Sequence, residues 1–181
     1  MRYPDGHSET VRTRIVEAAS RALRRDGIDA VSIPKLMKLV GLTHGGFYVH
    51  FRNRDELVAE AVAHTAKDSA LSSDATAAEA FTRYLSLDHV RHPELGCVVA
   101  ALGIEGARQR GPVRRAFAEA AIRLLRGVER RLHPKNGDGS LSDEALATAS
   151  RIVGAVVLAR LAPDEALAHR LLESAKVHLG R

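Results

Sequence analysis

The sequence predicts an all-α chain of about nine helices. Three observations carry this. Apolar residues recur at spacings of three and four along the 181 residues, which is the repeat of one helix face. No stretch alternates apolar and polar side chains with the Val, Ile and Thr enrichment of a strand. The breaks between periodic stretches carry turn chemistry: His92-Pro93-Glu94-Leu95-Gly96, Gly111-Pro112, Pro134 through Gly139, and Ala162-Pro163.

The elements follow in order. Val11, Ile15, Ala18, Ala19, Ala22 and Leu23 stripe a helix from about Glu9 to Asp26, with Gly27 as its stop. Ser32 as cap and Pro34 in the first turn open a short helix from Ile33 to about Val40, closed by Gly41. Thr43 caps a second short segment, His44 to His50. Asn53 with Glu56 three residues on opens a longer helix through about Leu71. Further helices are expected near 75–87, 96–110, 112–133, 142–161 and 164–179. The implied division is a head, 1–53, and a larger helical body, 54–181.

Composition narrows the function. With 45% hydrophobic and 27% charged residues the chain is a folded protein rather than a disordered one. No run reaches the ~18–20 apolar residues of a membrane span. Residues Met1 to His7 lack the apolar stretch of a secretory signal, and Cys97 is the one cysteine, so a reducing cytoplasm is expected. The net charge is +5, drawn mainly from Arg, which suits phosphate and guanine edges. Residues 1–56 hold 10 Lys and Arg against 7 Asp and Glu, so the excess is densest at the N-terminal end.

Two short helices around Gly41-Leu42-Thr43 form a helix-turn-helix pattern. Its second helix enters the major groove while the first braces it. Ile33, Leu36, Met37, Val40, Leu42, Phe47 and Phe51 are its inner face, which leaves Thr43, His44, Gly45, Tyr48, Val49 and His50 outside. Gly45-Gly46 costs helix stability; close approach of DNA phosphate and room for helix packing are the two explanations. Ser32 and Lys35, at the start of the preceding helix, suit phosphate, and Arg2 and Arg12 suit the neighbouring backbone or minor groove. For Arg12 and Lys35 the alternative is a solvated surface, and for Tyr48 it is the core.

The run from Leu36 to Leu57 resembles the DNA-binding segment of TetR/AcrR-type transcriptional repressors. The resemblance rests on Gly41-Leu42-Thr43, then Phe47-Tyr48-Val49-His50-Phe51, then Asp55-Glu56-Leu57, and extends over residues 9–60. Met37 and Leu39 depart from it, standing where small alanines are usual, and Arg54 replaces a common lysine. The resemblance implies that Thr43, His44, Gly45 and Tyr48 face DNA, with His50 at the edge and Arg54 on phosphate. It also implies a homodimer on a palindromic double-stranded operator, released by a small-molecule inducer.

For the body, the resemblance places the subunit interface in the last two helices. Leu146, Val153, Val156, Val157, Leu171 and Leu172 suit it, a monomeric core being the alternative. Phe81, Tyr84, Leu85, Leu102 and Phe117 are candidate linings of an inducer pocket, or ordinary core. Cys97 at a helix start suggests a redox sensor, against the usual role of a buried small hydrophobe. His89, His92 and Cys97 match no zinc spacing, so no metal is expected. Nucleotide-loop, zinc-hydrolase and esterase motifs are absent, which argues against an enzyme or a cofactor. A ligand carrier and a constitutive DNA-binding dimer remain as alternatives.

Overall fold

The computed structural model describes residues 5–67, 71, 76–135, 139–177 and 179. Among them are ten α-helices and no strand. These are α1 (Asp5–Asp26), α2 (Ile33–Leu39), α3 (Phe47–His50), α4 (Arg54–Lys67), α5 (Ala77–Tyr84), α6 (Leu87–Arg91), α7 (Val98–Arg108), α8 (Gly111–Leu132), α9 (Asp143–Arg160) and α10 (Glu165–Lys176). Single 3₁₀ turns precede α3, at His44–Gly46, and α7, at Pro93–Leu95. None of the described helices is long and apolar enough to cross a membrane.

The expected helix at 75–87 is two helices. Thr76 and Glu79 form a capping box that starts α5. Leu85 then leaves helical geometry at φ −93° and ψ 55°. Ser86, in extended backbone, accepts from the His89 amide at 3.1 Å and starts α6. A second difference concerns Ser32, which occupies the N-cap of α2 without a side-chain bond. Pro34 supplies no amide at the second helical position, one of the two that an N-cap oxygen normally reaches. The fourth helix is described to Lys67; Ser72 to Asp74, and Arg2, lie outside the described residues.

Two apolar cores meet on α7 and α8. One gathers α1 to α4 around Ile15, Leu23, Met37, Phe47, Phe51 and Leu57, and continues into Val98, Leu102, Val113 and Phe117. The other joins α5, α9 and α10 to the far sides of α7 and α8 through Phe81, Tyr84, Leu124, Ile152, Val156 and Leu172. The head is therefore anchored in the body by its own core. Where α7 passes α8, a Cβ on Gly106 would lie 2.4 Å from the Phe117 ring, so only glycine allows this approach.

Candidate nucleic-acid interface

The turn between α2 and α3 is fixed by backbone bonds. Leu42 N–H donates to Met37 O at 2.8 Å and Gly41 N–H to Lys38 O at 3.1 Å. With Gly41 at φ +75°, this is a Schellman closure, which a side-chain-bearing residue adopts only at a cost. Thr43 follows in extended backbone, and its Oγ1 accepts from Gly46 N–H at 3.3 Å. The residue is exposed, and its hydroxyl can still donate.

Phe47 and Phe51 stack at 5.4 Å between ring centres and are buried, which rotates their neighbours outward. Tyr48 is 62% exposed and Val49 78% exposed. Tyr48 stands edge-on to Phe47 at 5.2 Å and beside the His44 ring at 5.9 Å, so its hydroxyl is carried on a braced ring. Thr43, His44, Gly45 and Tyr48 are all exposed on one short segment. His50 is half-buried, and burial, with Arg12 adding to it, holds its imidazole below the ordinary range.

The glycine pair is resolved by its surroundings. A Cβ on Gly45 would meet nothing within 4 Å, and one on Gly46 only ordinary contacts at 3.6 and 3.8 Å. Interior packing therefore does not demand glycine at either position. Met37 fills the core beneath Gly46, while Leu39 projects into solvent at 69% exposure.

The cations divide into two kinds. Lys35 is exposed at the start of α2, and Ser32 beside it is half-buried. Arg12, by contrast, is half-buried and bonded within the head. It donates to the His50 carbonyl and to Glu60, lies 3.5 Å from Glu56, and stacks 4.3 Å above the Phe51 ring. It thereby ties α1, α3 and α4 together. Arg54 donates to Ile28 O and, from Nε at 3.4 Å, to Val31 O. Those two bonds fix the N-terminus of α4 against the α1–α2 connection and leave Nη1 uncommitted among the described residues.

The body residues separate in the same way. Phe81, Tyr84 and Leu85 lie in one core, Leu102 and Phe117 in the other, and all five are buried. A small void of about 20 Å³ lies among Thr65, Cys97, Val98, Ala120 and Leu124. Val156 and Leu172 are buried within the single chain, Val153, Val157 and Leu171 are half-buried, and Leu146 is exposed. Leu158 of α9, Leu161 just after it and Leu167 of α10 are exposed.

Residues 15–61 match the model of the bacterial regulatory proteins of the tetR family. This segment is a TetR-family domain. The domain contains the whole turn and exposed face described above. A 51-residue stretch is 37% identical to the HTH-type transcriptional regulator TtgR of Pseudomonas putida, covering 28% of this chain and 24% of that protein. The chain thus matches about a quarter of its curated relative's length. Beyond the TetR-family domain the likeness is one of fold. Escherichia coli NemR, solved in its reduced form, superimposes with a TM-score of 0.73 at 16% identity over 94% of this chain and 95% of that one. A TetR-family regulator from Cytophaga hutchinsonii gives 0.72 at 19% identity over 98% and 96%. The all-helical architecture, an N-terminal helix-turn-helix followed by a larger helical domain, is the fold of TetR-family regulators.

Proposed function

We propose that the chain is a homodimeric, ligand-responsive transcriptional repressor whose residues 43–50 read a palindromic operator. The observation that carries this reading is the outward presentation of Thr43, His44, Gly45 and Tyr48 above two buried phenylalanines. A short helix of this size fits the major groove, with base edges read by side chains and phosphates held by flanking cations. Lys35, Ser32 and the free Nη1 of Arg54 supply the phosphate contacts. Arg12 acts one step back, by fixing the His50 end of the reading helix.

In this reading residues 1–53 are the reading head and 54–181 the body. Leu146, Leu158, Leu161 and Leu167 form the exposed apolar surface that a second copy covers, through an isologous contact. Two heads then stand one DNA turn apart, ~34–36 Å. An inducer favours a different head separation, and the operator is released by the difference in its affinity for the two states. α4 transmits the change, since Arg54 fixes its start to the head.

Selection from random duplexes by the purified chain tests the reading. The expected product is a palindrome with half-sites one helical turn apart. Failure to enrich any duplex in dilute salt overturns it. Ligand response is tested separately, by thermal-shift screening for a small molecule that also frees the selected operator. A constitutive binder gives none.

A further inference from the structure

Away from the reading face, one cluster of polar groups is left incompletely bonded inside the chain. Tyr84, the last residue of α5, is 1% exposed, and its hydroxyl has no hydrogen-bond partner. Arg160, the last residue of α9, donates from Nη2 to the His89 carbonyl at 2.9 Å. Its Nε and Nη1 are closed off from solvent and unbonded. An unpaired buried donor is destabilising, and more so when it is charged.

Cys97 lies near both side chains. Its amide donates to His89 Nε2 at 3.0 Å, while His89 Nδ1–H donates to the Tyr84 carbonyl at 2.6 Å. The His89 ring is thus neutral, with both nitrogens used, and it packs edge-on to Tyr84 at 4.7 Å. Cys97 is the N-cap of the 11-residue α7, yet its side chain makes no capping bond. The cluster therefore offers a hydroxyl, a guanidinium and a helix N-terminus, all donors or positive, and the Glu94 carboxylate acts on Arg160 without bonding its Nε or Nη1.

We propose that Tyr84, Arg160 and the start of α7 form a receptor for one small oxyanion seated beside Cys97. The shared chemistry is a negatively charged oxygen that accepts from Tyr84 Oη–H and Arg160. Two sources supply it: a free carboxylate or inorganic oxyanion, or a sulfenate made on Cys97. In the second, the thiolate sulfur attacks one oxygen of hydrogen peroxide and the O–O bond breaks. The other oxygen leaves as hydroxide and takes the sulfenic proton to become water. Sulfur is oxidised by two electrons and peroxide is reduced.

This deepens the effector reading above and rests on it, because the site is wired to the head. Gly96, beside Cys97, accepts from Arg24 Nη1 of α1 at 2.6 Å. A Cβ on Gly96 would lie 2.3 Å from the His89 ring and 3.3 Å from Arg160 Nη2, so the turn has no slack. An oxyanion that draws Arg160 inward shifts this turn, and with it the bond to α1.

The test uses the full chain and no DNA, so its failure is separable from failure of the operator reading. Sodium formate, acetate, nitrate and phosphate are titrated at constant ionic strength against chloride, and the melting midpoint is followed. Hydrogen peroxide is added in a second arm, with the sulfenate trapped by dimedone and located by mass. Expected is a midpoint rise with an oxyanion, or trapping at Cys97 at least tenfold faster in the folded than in the urea-unfolded chain. Either effect is lost in Tyr84→Phe, which removes one oxygen, and in Arg160→Met. The arm that responds names the source. No response in both arms, or a response that survives both substitutions, overturns the proposal.

Discussion

The amide of Ile28 donates to Glu105 Oε2 at 2.7 Å, so a side chain from the body closes the chain leaving α1, 77 residues away. Gly27 beside it sits at φ +90°, and a Cβ there would press on the same carboxylate at 3.3 Å. The head is thus joined to α7 by a buried apolar contact and by a charged acceptor at a point where no helix supplies one.

Removing that acceptor should be felt as stability. Glu105→Ala leaves the Ile28 amide unpaired and is expected to cost about 1–3 kcal/mol in urea unfolding. Glu105→Gln keeps a side-chain oxygen and should lose less. Equal losses for the two would show that the bond contributes nothing.

Gly106→Ala is the sharpest packing probe. The added methyl would overlap the buried Phe117 ring at 2.4 Å, and ring and helix must separate. A loss of about 1–3 kcal/mol is expected, as for other overpacked cores. Gly103→Ala, on the same helix with only an ordinary contact at 3.9 Å, should be neutral or slightly stabilising. Thermal melts of the two variants side by side check the contrast.

On DNA, Tyr48→Ala and Thr43→Ala should each weaken the selected operator by roughly 1–3 kcal/mol. Tyr48→Ala should lower the melting midpoint only slightly, because most of the ring is exposed and its contact with the core is the edge-on one with Phe47. Binding titrations at fixed salt, paired with melts, separate recognition from folding. Unchanged affinity in both variants would remove α3 as the reader.

The histidines set an acid limit. Burial holds His89 and His50 below the ordinary imidazole value, so the folded state favours their neutral forms. The unfolded chain then binds more protons below about pH 6.5, and stability present above that value is lost as pH falls toward the folded pKa values. Protonating His89 would also break its acceptance of the Cys97 amide. The urea midpoint should fall between about pH 7.5 and about pH 5.5, and His89→Gln should flatten that fall while His50 keeps part of it.

Much of the fold was legible because its signals are local. Gly41, Thr43 and Asn53 act within four residues of themselves, and each terminates or starts a helix as its chemistry dictates. The exposed Tyr48 was legible too, since Phe47 and Phe51 fill the inner positions of so short a helix. Ser86 carried an equally local cap signal, but the apolar rhythm of Phe81, Tyr84 and Leu85 runs into it and hides the break. What sequence could not give is pairing at a distance. Nothing near Arg12 announces that Glu60 and a ring 39 residues on will hold it, or that Arg24 will reach Gly96. Likewise Val156 and Leu158 are both apolar residues of α9, and the packing of α9 against α6, α7, α8 and α10 decides that one is core and the other surface.

The open space above Gly45 sets two kinds of optimisation against each other. An alanine there fits the chain without strain and favours a helical turn, so a campaign aimed at heat tolerance would adopt it. The methyl would project from the reading surface, where a duplex must come close. Directed evolution for robustness should therefore hold this position fixed, while retargeting to new sequences should begin with it.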